Sequence, residues 1–222
     1  MDTATEPLPG EVGLRERKKQ RQRQDIVQQT VDSVRTHGYE ATTVAVVASA
    51  LEISSATFYN YFRSKEDVLA YWVQMVWERI TRDVLAGQKS SQTIPEVLYA
   101  LNSRVAALLE SDRDLWCAIA STNAWYPAEN NSLAGTEAAA HKALTELVRL
   151  GQDRGELTSR VDAEMVARLL DGTLVTACSA WALDQTGHCS LIESLNVSLD
   201  LFLTGATDRH STNATKRRRV WK

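Results

Sequence analysis

Polar and aromatic side chains crowd one short stretch of the chain, SSATFYNYFRSKEDVL, which runs from Ser54 to Leu69. Tyr59 and Tyr61 can donate hydroxyl hydrogens, and Asn60 offers both an amide donor and an amide acceptor. Lys65 adds positive charge a few residues later. A cation such as Lys65 is rarely buried in a core, and tyrosines are uncommon on a plain solvated helix face. These groups are the ones that hydrogen-bond phosphate oxygens and base edges, so the stretch indicates a surface that binds a polyanion.

The charge of the chain changes sign along its length, which gives that stretch a favourable setting. Residues 14–65 hold nine Lys or Arg against five Asp or Glu, a net charge of +4. Residues 66–215 hold eleven against twenty, a net of −9, and the last seven residues, KRRRVWK, add +5. The N-terminal quarter is therefore expected to face a polyanion, and the middle of the chain to repel one. The terminal KRRRVWK is interpreted as a basic disordered tail.

The bulk composition indicates an ordinary globular protein of the cytoplasm. The 222 residues are 44% hydrophobic and 24% charged. No run of about 18 apolar residues occurs, so no membrane span is expected. The first 13 residues have no apolar segment and do not resemble a secretory signal. The three cysteines cannot all pair with one another, which favours free thiols in a reducing compartment.

The whole chain has the apolar periodicity of helices. Spacing of i, i+3 and i+4 predicts a first helix from Leu14 to His37, ended by Gly38. Two short helices are predicted over Thr43–Leu51 and Ser54–Tyr61, capped by threonine and serine. Longer helices are predicted over about 65–88, 94–110, 112–125, 132–154, 162–184 and 190–204. The fold class is therefore all-α, with a three-helix N-terminal unit followed by a larger helical body.

Two short helices joined by a tight turn constitute a helix-turn-helix, in which the second helix enters the DNA major groove. Phe58 and Phe62 lie four residues apart and are expected to anchor this helix to the core. The side chains of Ser55, Thr57 and Asn60 are then left to face the groove. This arrangement accounts for the aromatic and cationic stretch as a DNA-binding surface.

The segment TVAVVASALEISSATFYNYFRSKEDVL resembles the DNA-binding signature of TetR-type (tetracycline-repressor-like) regulators, a likeness that covers about 55 residues. Matching positions are Thr43, Val44, Val47, Ala48, Ile53, Ser54, Thr57, Tyr59, Tyr61, Phe62, Ser64, Lys65, Glu66 and Leu69. Two positions depart from the family pattern, because Glu52 and Ala56 stand where glycine is usual. A left-handed backbone at Glu52 would cost about 1 kcal/mol relative to glycine.

The resemblance implies roles for particular side chains. Phosphate contacts are expected from Thr43, Tyr59, Tyr61 and Lys65, and contacts near the bases from Ser55, Ala56, Thr57 and Asn60. Asn60 could pair with the N6 and N7 atoms of adenine, or be a solvated or phosphate-binding residue.

The run RERKKQRQR, from Arg15 to Arg23, has two possible interpretations. It is either a basic arm that reaches phosphates or the minor groove, chiefly through Arg15, Arg17 and Lys18, or a solvated extension of the first helix.

The resemblance also implies a ligand-binding and dimerisation body. Residues 14–64 would be the DNA-binding domain and residues 65–205 the body, with tails at 1–13 and 206–222. Candidate pocket residues are Trp72, Trp116, Trp125 and Trp181, although tryptophans at helical spacing are often core. The last two helices are expected to pair with those of a second copy, through Ala177, Trp181, Leu195, Leu199 and Phe202.

The sequence thus predicts a homodimeric regulator, a repressor, that binds double-stranded DNA at a near-palindromic operator and is released by a small apolar or amphipathic effector. A small-molecule or lipid carrier of the same fold that does not read DNA is the alternative, and an enzyme built in the helical body is a third possibility. The four histidines lack ligand spacing and no catalytic constellation occurs, so no metal, cofactor or catalytic activity is expected.

Overall fold

The computed structural model describes residues 9–87, 91–122, 134–184 and 189–206, and all regular structure in these residues is α-helical. The helices are α1 Pro9–His37, α2 Val44–Ala50, α3 Ser55–Tyr59, α4 Lys65–Ala86, α5 Ile94–Glu110, α6 Arg113–Ala120, α7 Ala134–Asp153, α8 Ala163–Leu183 and α9 Leu191–Ala206. The all-α prediction is confirmed. The segment KRRRVWK and the candidate pocket residue Trp125 lie outside the described residues.

The first helix begins earlier than the sequence pattern predicted. α1 starts at Pro9 and continues for 29 residues, so the stretch 9–13 is helix rather than tail. Proline is compatible with a first helical position because its missing N–H has no intrahelical partner there. The helix ends where it was predicted to end, at Gly38, whose φ of +83° is readily adopted without a Cβ. The basic run is therefore part of a continuous helix.

The two short helices are fixed by the predicted caps. The side-chain oxygen of Thr43 accepts a hydrogen bond from the N–H of Val46 at 3.3 Å, and that of Ser54 accepts from Thr57 at 3.0 Å. Each cap satisfies a backbone donor that the helix itself leaves unpaired. α3 ends at Tyr59, two residues before its predicted end.

The turn between these helices closes α2 with a Schellman motif. The N–H of Ile53 donates to the carbonyl of Ala48 at 3.0 Å, and the N–H of Glu52 donates to the carbonyl of Ser49 at 3.1 Å. This pattern requires a left-handed residue directly after the cap, and Glu52 has φ +54°. The left-handed backbone expected at this non-glycine position is therefore present.

The described residues pack into two compact units. The first comprises residues up to 78 and those from 108 to 136, and the second comprises residues 79–107 and those from 137 onward. The core of the first unit is formed by Ile26, Val27, Val47, Phe58, Phe62, Val68 and Tyr71. The core of the second is formed by Ile94, Val97, Leu98, Leu144, Leu147, Val148, Leu157, Ala163, Val166, Ala167, Leu170, Leu199 and Leu203. The domain boundary predicted at residue 64 stays a prediction.

The inward face that periodicity predicts for helix α8, which includes Met165, Leu169, Leu170, Ala177 and Trp181, is only partly the one that the structure buries. Leu170, Ala177 and Trp181 are buried as predicted. Met165 and Leu169 are instead 48% and 55% exposed, and Val166 is buried in their place. α8 is apolar on more than one face, so its apolar positions fit more than one phase of the helical period. By length and composition α8 could also cross a membrane, a test that core helices of soluble proteins pass as well.

Candidate nucleic-acid interface

Helix α3 presents the residues that were predicted to lie near the bases. The side chains of Ser55, Ala56 and Asn60 are exposed, and Thr57 is half-buried. Phe58, on the opposite side of the helix, is fully buried. The side-chain amide of Asn60 has no partner among the described residues, so its donor and acceptor are available to a ligand. Five residues of helix thus present an anchored apolar face and an open polar face, as base readout requires.

Aromatic packing holds α3 in place. The rings of Phe58 and Phe62 lie 6.3 Å apart, and Phe62 meets Tyr71 of α4 edge-on at 5.6 Å. The ring of Tyr59 packs edge-on against Phe58 at 5.7 Å, yet Tyr59 remains 56% exposed. This contact directs the Tyr59 ring outward without burying it. The geometry suits the phosphate contact predicted for Tyr59, because the ring is oriented and its surface is open.

The remaining predicted phosphate ligands differ in exposure. Thr43 is exposed at the start of α2, and its hydroxyl hydrogen remains free to donate while its oxygen accepts from Val46. Tyr61 is half-buried just after α3. Arg15, Arg17 and Lys18 are exposed on α1. These positions leave the predicted phosphate contacts possible, and they stay predictions.

Lys65 has a structural role that the sequence did not indicate. Its Nζ donates to the backbone carbonyl of Tyr39 at 2.7 Å and lies 3.7 Å from the centre of the Tyr39 ring. The Tyr39 hydroxyl in turn donates to the carboxylate of Glu66. The charge of Lys65 therefore joins the start of α4 to the loop between α1 and α2. An ammonium group has three donors, so a phosphate contact by Lys65 stays a prediction.

The ionisation of this Tyr39–Glu66 pair is coupled. Burial raises the pKa of the Tyr39 phenol well above its usual range, and the neighbouring Glu66 carboxylate raises it further. Burial also acts to raise the pKa of Glu66, but hydrogen bonds from Ser64 and Tyr39 outweigh it, so the Glu66 pKa lies below its usual value. At neutral pH the phenol is therefore a donor and the carboxylate an acceptor.

Sequence reasoning missed two residues next to the predicted surface. Val46 on α2 is 44% exposed, beside apolar neighbours that are buried, and it offers an apolar contact such as a thymine methyl accepts. Arg63 is exposed directly before α4, with its backbone N–H bonded to Asp67 at 3.2 Å. Val46 could have been found because it falls off the inward spacing of α2. Arg63 could have been found from its place in the cationic stretch.

The predicted pocket tryptophans pack against other groups. Trp72 and Trp116 lie 5.1 Å apart with their rings inclined by 38°, and the guanidinium of Arg35 lies 5.8 Å from the Trp72 ring centre. Trp116 is fully buried, and Trp181 is buried in the second unit. These contacts identify a packed α4–α6 pair, and the ligand role of these residues stays a prediction.

The predicted dimer residues lie mostly inside the protomer. Ala177, Trp181, Leu195 and Leu199 are buried, and Phe202 is half-buried against the second core. Their side chains are used within the chain, because the inward faces of α8 and α9 pack on the other helices of the unit. The exposed apolar residues of these two helices are Met165, Leu169, Leu183, Val197 and Leu201. An interface on these helices must therefore use this outer face.

An open groove of about 660 Å³ lies along the outer face of α8 and α9 in the described part of the chain. It is lined by Arg168, Leu169, Gly172, Thr173, Thr176, Ala177, Ala180, Ser194 and Ser198. Gly172, Thr176 and Ala180 follow a spacing of four and are exposed, so a second helix could approach α8 closely along this row. Trp72, Trp116 and Trp181, the predicted pocket tryptophans that the structure describes, do not line it.

A recognition helix anchored on an aromatic core, behind a capped second helix and a Schellman turn, defines a helix-turn-helix DNA-binding protein. Residues 26–71 match the sequence model of the family described as bacterial regulatory proteins, tetR family. Residues 26–71 thus carry the DNA-binding sequence of that family.

Two regulators and two solved structures are similar to this chain. The HTH-type transcriptional regulator TcmR of Streptomyces glaucescens is 28% identical over 65% of this chain, which spans only 55% of TcmR. The Fatty acid metabolism regulator protein of Bacillus subtilis is 24% identical over 81% of this chain and 93% of its own length. The structure of Thermus thermophilus FadR, a TetR-family transcriptional repressor in complex with lauroyl-CoA, covers 85% of this chain and 97% of its own with 24% identity and a TM-score of 0.72. The structure of Bacillus subtilis FadR with stearoyl-CoA covers 82% and 98% with 20% identity and a TM-score of 0.60.

Proposed function

We propose that this protein is a cytoplasmic, homodimeric transcription repressor that binds a near-palindromic operator and is released from it by a small amphipathic effector. The observation that carries the proposal is the polar, exposed face of α3 on a fully buried Phe58. A TetR-type DNA-binding domain and relatives named as bacterial transcription regulators support it. A two-fold dimer would place the two α3 helices about one DNA turn apart, roughly 34–36 Å.

Selection from random duplex DNA tests this function directly. Purified protein is incubated with random duplexes at near-physiological salt, and the retained DNA is sequenced over several rounds. The expected result is a palindromic consensus with half-sites about one turn apart. A folded, dimeric protein that enriches no sequence, with or without effector, would contradict the proposal and favour the carrier alternative.

The basic segment of α1 is proposed to bind DNA through phosphates alone. Replacing Arg15, Arg17 and Lys18 with alanine is expected to weaken binding to all sequences. The slope of log K against log salt should fall by up to about 2.7, because each phosphate contact adds about 0.9. An unchanged slope would mean that the segment is a solvated part of α1 that does not contact phosphates.

The effector is proposed to be a fatty acyl thioester of coenzyme A or a close analogue. Two FadR relatives are described in complex with lauroyl-CoA and stearoyl-CoA, and the Bacillus subtilis relative found by sequence is named a fatty acid metabolism regulator. Effective release requires the effector to prefer the non-binding conformation by a few kcal/mol. Titrating lauroyl-CoA into the protein–operator complex should therefore release the DNA, and lack of release would refute this ligand class.

The dimer is proposed to form through the outer face of α8 and α9. Thr176→Arg places a charge in the middle of the groove, and Thr204→Arg places the same charge at an exposed position near the end of α9. Sedimentation should show that the Thr176 variant is monomeric and the Thr204 variant is dimeric. The Thr176 variant should also lose most of its operator affinity. If the Thr176→Arg protein is still dimeric, the interface does not lie along this groove.

A further inference from the structure

Two polar side chains in the first unit carry buried atoms that lack hydrogen-bond partners. Gln74 of α4 is only 8% exposed, and both its amide oxygen and its amide nitrogen are shielded from solvent without a partner among the described residues. The Nε of Arg23 on α1 is likewise shielded and without a partner. Buried polar groups in native proteins are nearly always hydrogen-bonded, so each exception calls for a physical explanation.

The Arg23 guanidinium contacts two aromatic rings, and one of them lies on α4. The Arg23 guanidinium carbon lies 4.5 Å from the centre of the Tyr71 ring and 5.2 Å from that of Phe62. Tyr71 and Gln74 are three residues apart on α4, so their side chains are neighbours on the helix surface. From this spacing we infer that Arg23 Nε and the Gln74 amide border one region between α1 and α4. Contact with the rings orients the guanidinium plane, and this orientation sets the direction of its N–H groups.

The charge of Arg23 is also without compensation. Arginine is always protonated in proteins, and half-buried guanidinium groups usually meet a carboxylate or phosphate. No carboxylate of the described residues pairs with Arg23. Its guanidinium and the Gln74 nitrogen are both donors, and the two together fit an anionic oxygen group. The Gln74 oxygen fits an N–H or O–H on the same molecule.

We propose that Arg23 and Gln74 form the binding site for an anionic oxygen group, a phosphate or a carboxylate, at the head of the effector. This inference rests on the proposed function, because it assigns the polar end of the molecule that releases DNA. The site joins α1, which carries the basic segment, to α4, which begins directly after α3. An anion bound there would contact the DNA-binding unit itself.

The test compares Gln74→Met and Arg23→Met with matched controls. Met has nearly the shape of Gln without its polar atoms. Gln24→Met makes the same change at an exposed position of α1, and Arg149→Met removes one exposed positive charge from α7. The probes are lauroyl-CoA for a phosphate, laurate for a carboxylate and dodecanol as a neutral chain of equal length, each measured by isothermal titration calorimetry.

The expected result is that one anionic probe binds the wild type and binds both site variants at least about tenfold more weakly. The control variants should bind it like the wild type, and affinity for dodecanol should not separate the variants. The stronger of the two anionic probes identifies the source of the anion. Gln74→Met should also raise the thermal midpoint of the free protein, because it removes two buried unpaired groups.

Three results would overturn the inference. One is that neither anionic probe binds the wild type, and another is that the site variants bind both as the wild type does. The third is a lower thermal midpoint for Gln74→Met with unchanged probe affinity, which would assign the amide a structural partner such as a buried water. Selection from random duplex DNA with the same wild-type preparation keeps these results separate, because loss of the proposed function appears there as absence of enrichment.

Discussion

Replacing Glu52 with glycine is expected to stabilise the protein. Glu52 occupies the left-handed position of the Schellman motif after α2, with φ +54°. The same motif follows α7, where the N–H of Glu156 donates to the carbonyl of Gly151 at 2.8 Å and Gly155 has φ +70°. The chain thus contains one turn geometry twice, once with the residue that favours it and once with a residue that is strained in it.

The magnitude follows from two opposing contributions. A residue with a Cβ loses about 1–2 kcal/mol in the left-handed region relative to its ordinary conformations. Glycine offsets about 0.4–1 kcal/mol of that gain, because an unfolded chain with glycine at this position has more conformational entropy to lose on folding. Glu52→Gly should therefore raise the free energy of unfolding by about 0.5–1 kcal/mol. Gly155→Ala should lower it by a similar amount, since a Cβ built at Gly155 meets no atom within 4 Å.

The assay is thermal unfolding of wild type and variants at one protein concentration, which keeps any contribution of association constant. For a chain of this size about 1 kcal/mol corresponds to roughly 2–4 °C in Tm. Glu52→Ala is the decisive control, because it removes the carboxylate and keeps the Cβ. If Glu52→Ala raised Tm as much as Glu52→Gly, the gain would come from lost charge, and the backbone argument would be refuted.

Three further results are expected. Tyr39→Phe should cost about 1 kcal/mol at neutral pH, because it removes a donor to the Glu66 carboxylate. The pKa of Glu66 is lowered on folding, so stability is lost as the pH falls through that pKa, and acid unfolding curves of the variant and wild type should converge there. Cys178 is fully buried and burial raises its pKa to about 12, so it should resist a thiol reagent at pH 8 until the protein unfolds, while the two half-exposed cysteines react. Asp112→Ala should lower the free energy of unfolding only slightly, by less than about 1 kcal/mol, because the 2.7 Å ion pair with Arg35 is partly exposed. That difference should shrink in 1 M salt, where charges are screened within about 3 Å, and a salt-independent loss would assign the effect to packing.

The parts of the fold that the sequence predicted are those fixed by local interactions. Thr43 and Ser54 cap helices through bonds three residues away, and the carboxylate of Asp162 caps α8 through the N–H groups of Glu164 and Met165. Such contacts involve neighbours in sequence, so residue type and spacing suffice to locate them. The all-α class followed for the same reason, because apolar periodicity is a local property.

The features that sequence analysis missed depend on distant residues. Lys65 contacts Tyr39, 26 positions away, and the site at Arg23 and Gln74 joins two helices. No local pattern reports such contacts. Met165 and Leu169 were misassigned to the inward face of α8 because its apolar residues fit two phases of one period, and only packing selects between them. The contacts of Asn60 and Tyr59 with DNA stay predictions, since they require the partner.

The length of α1 has a mechanical consequence for DNA binding. The side chains from residue 13 to residue 21 are exposed, while Ile26 is the first fully buried residue of the helix. At about 1.5 Å per residue, the free end therefore projects roughly 20 Å beyond its packed part. A rigid rod of that length amplifies rotation, so a tilt of about 10° at the core displaces the tip by about 3 Å. An effector that reorients this unit only slightly would thus move the basic residues by the length of a hydrogen bond.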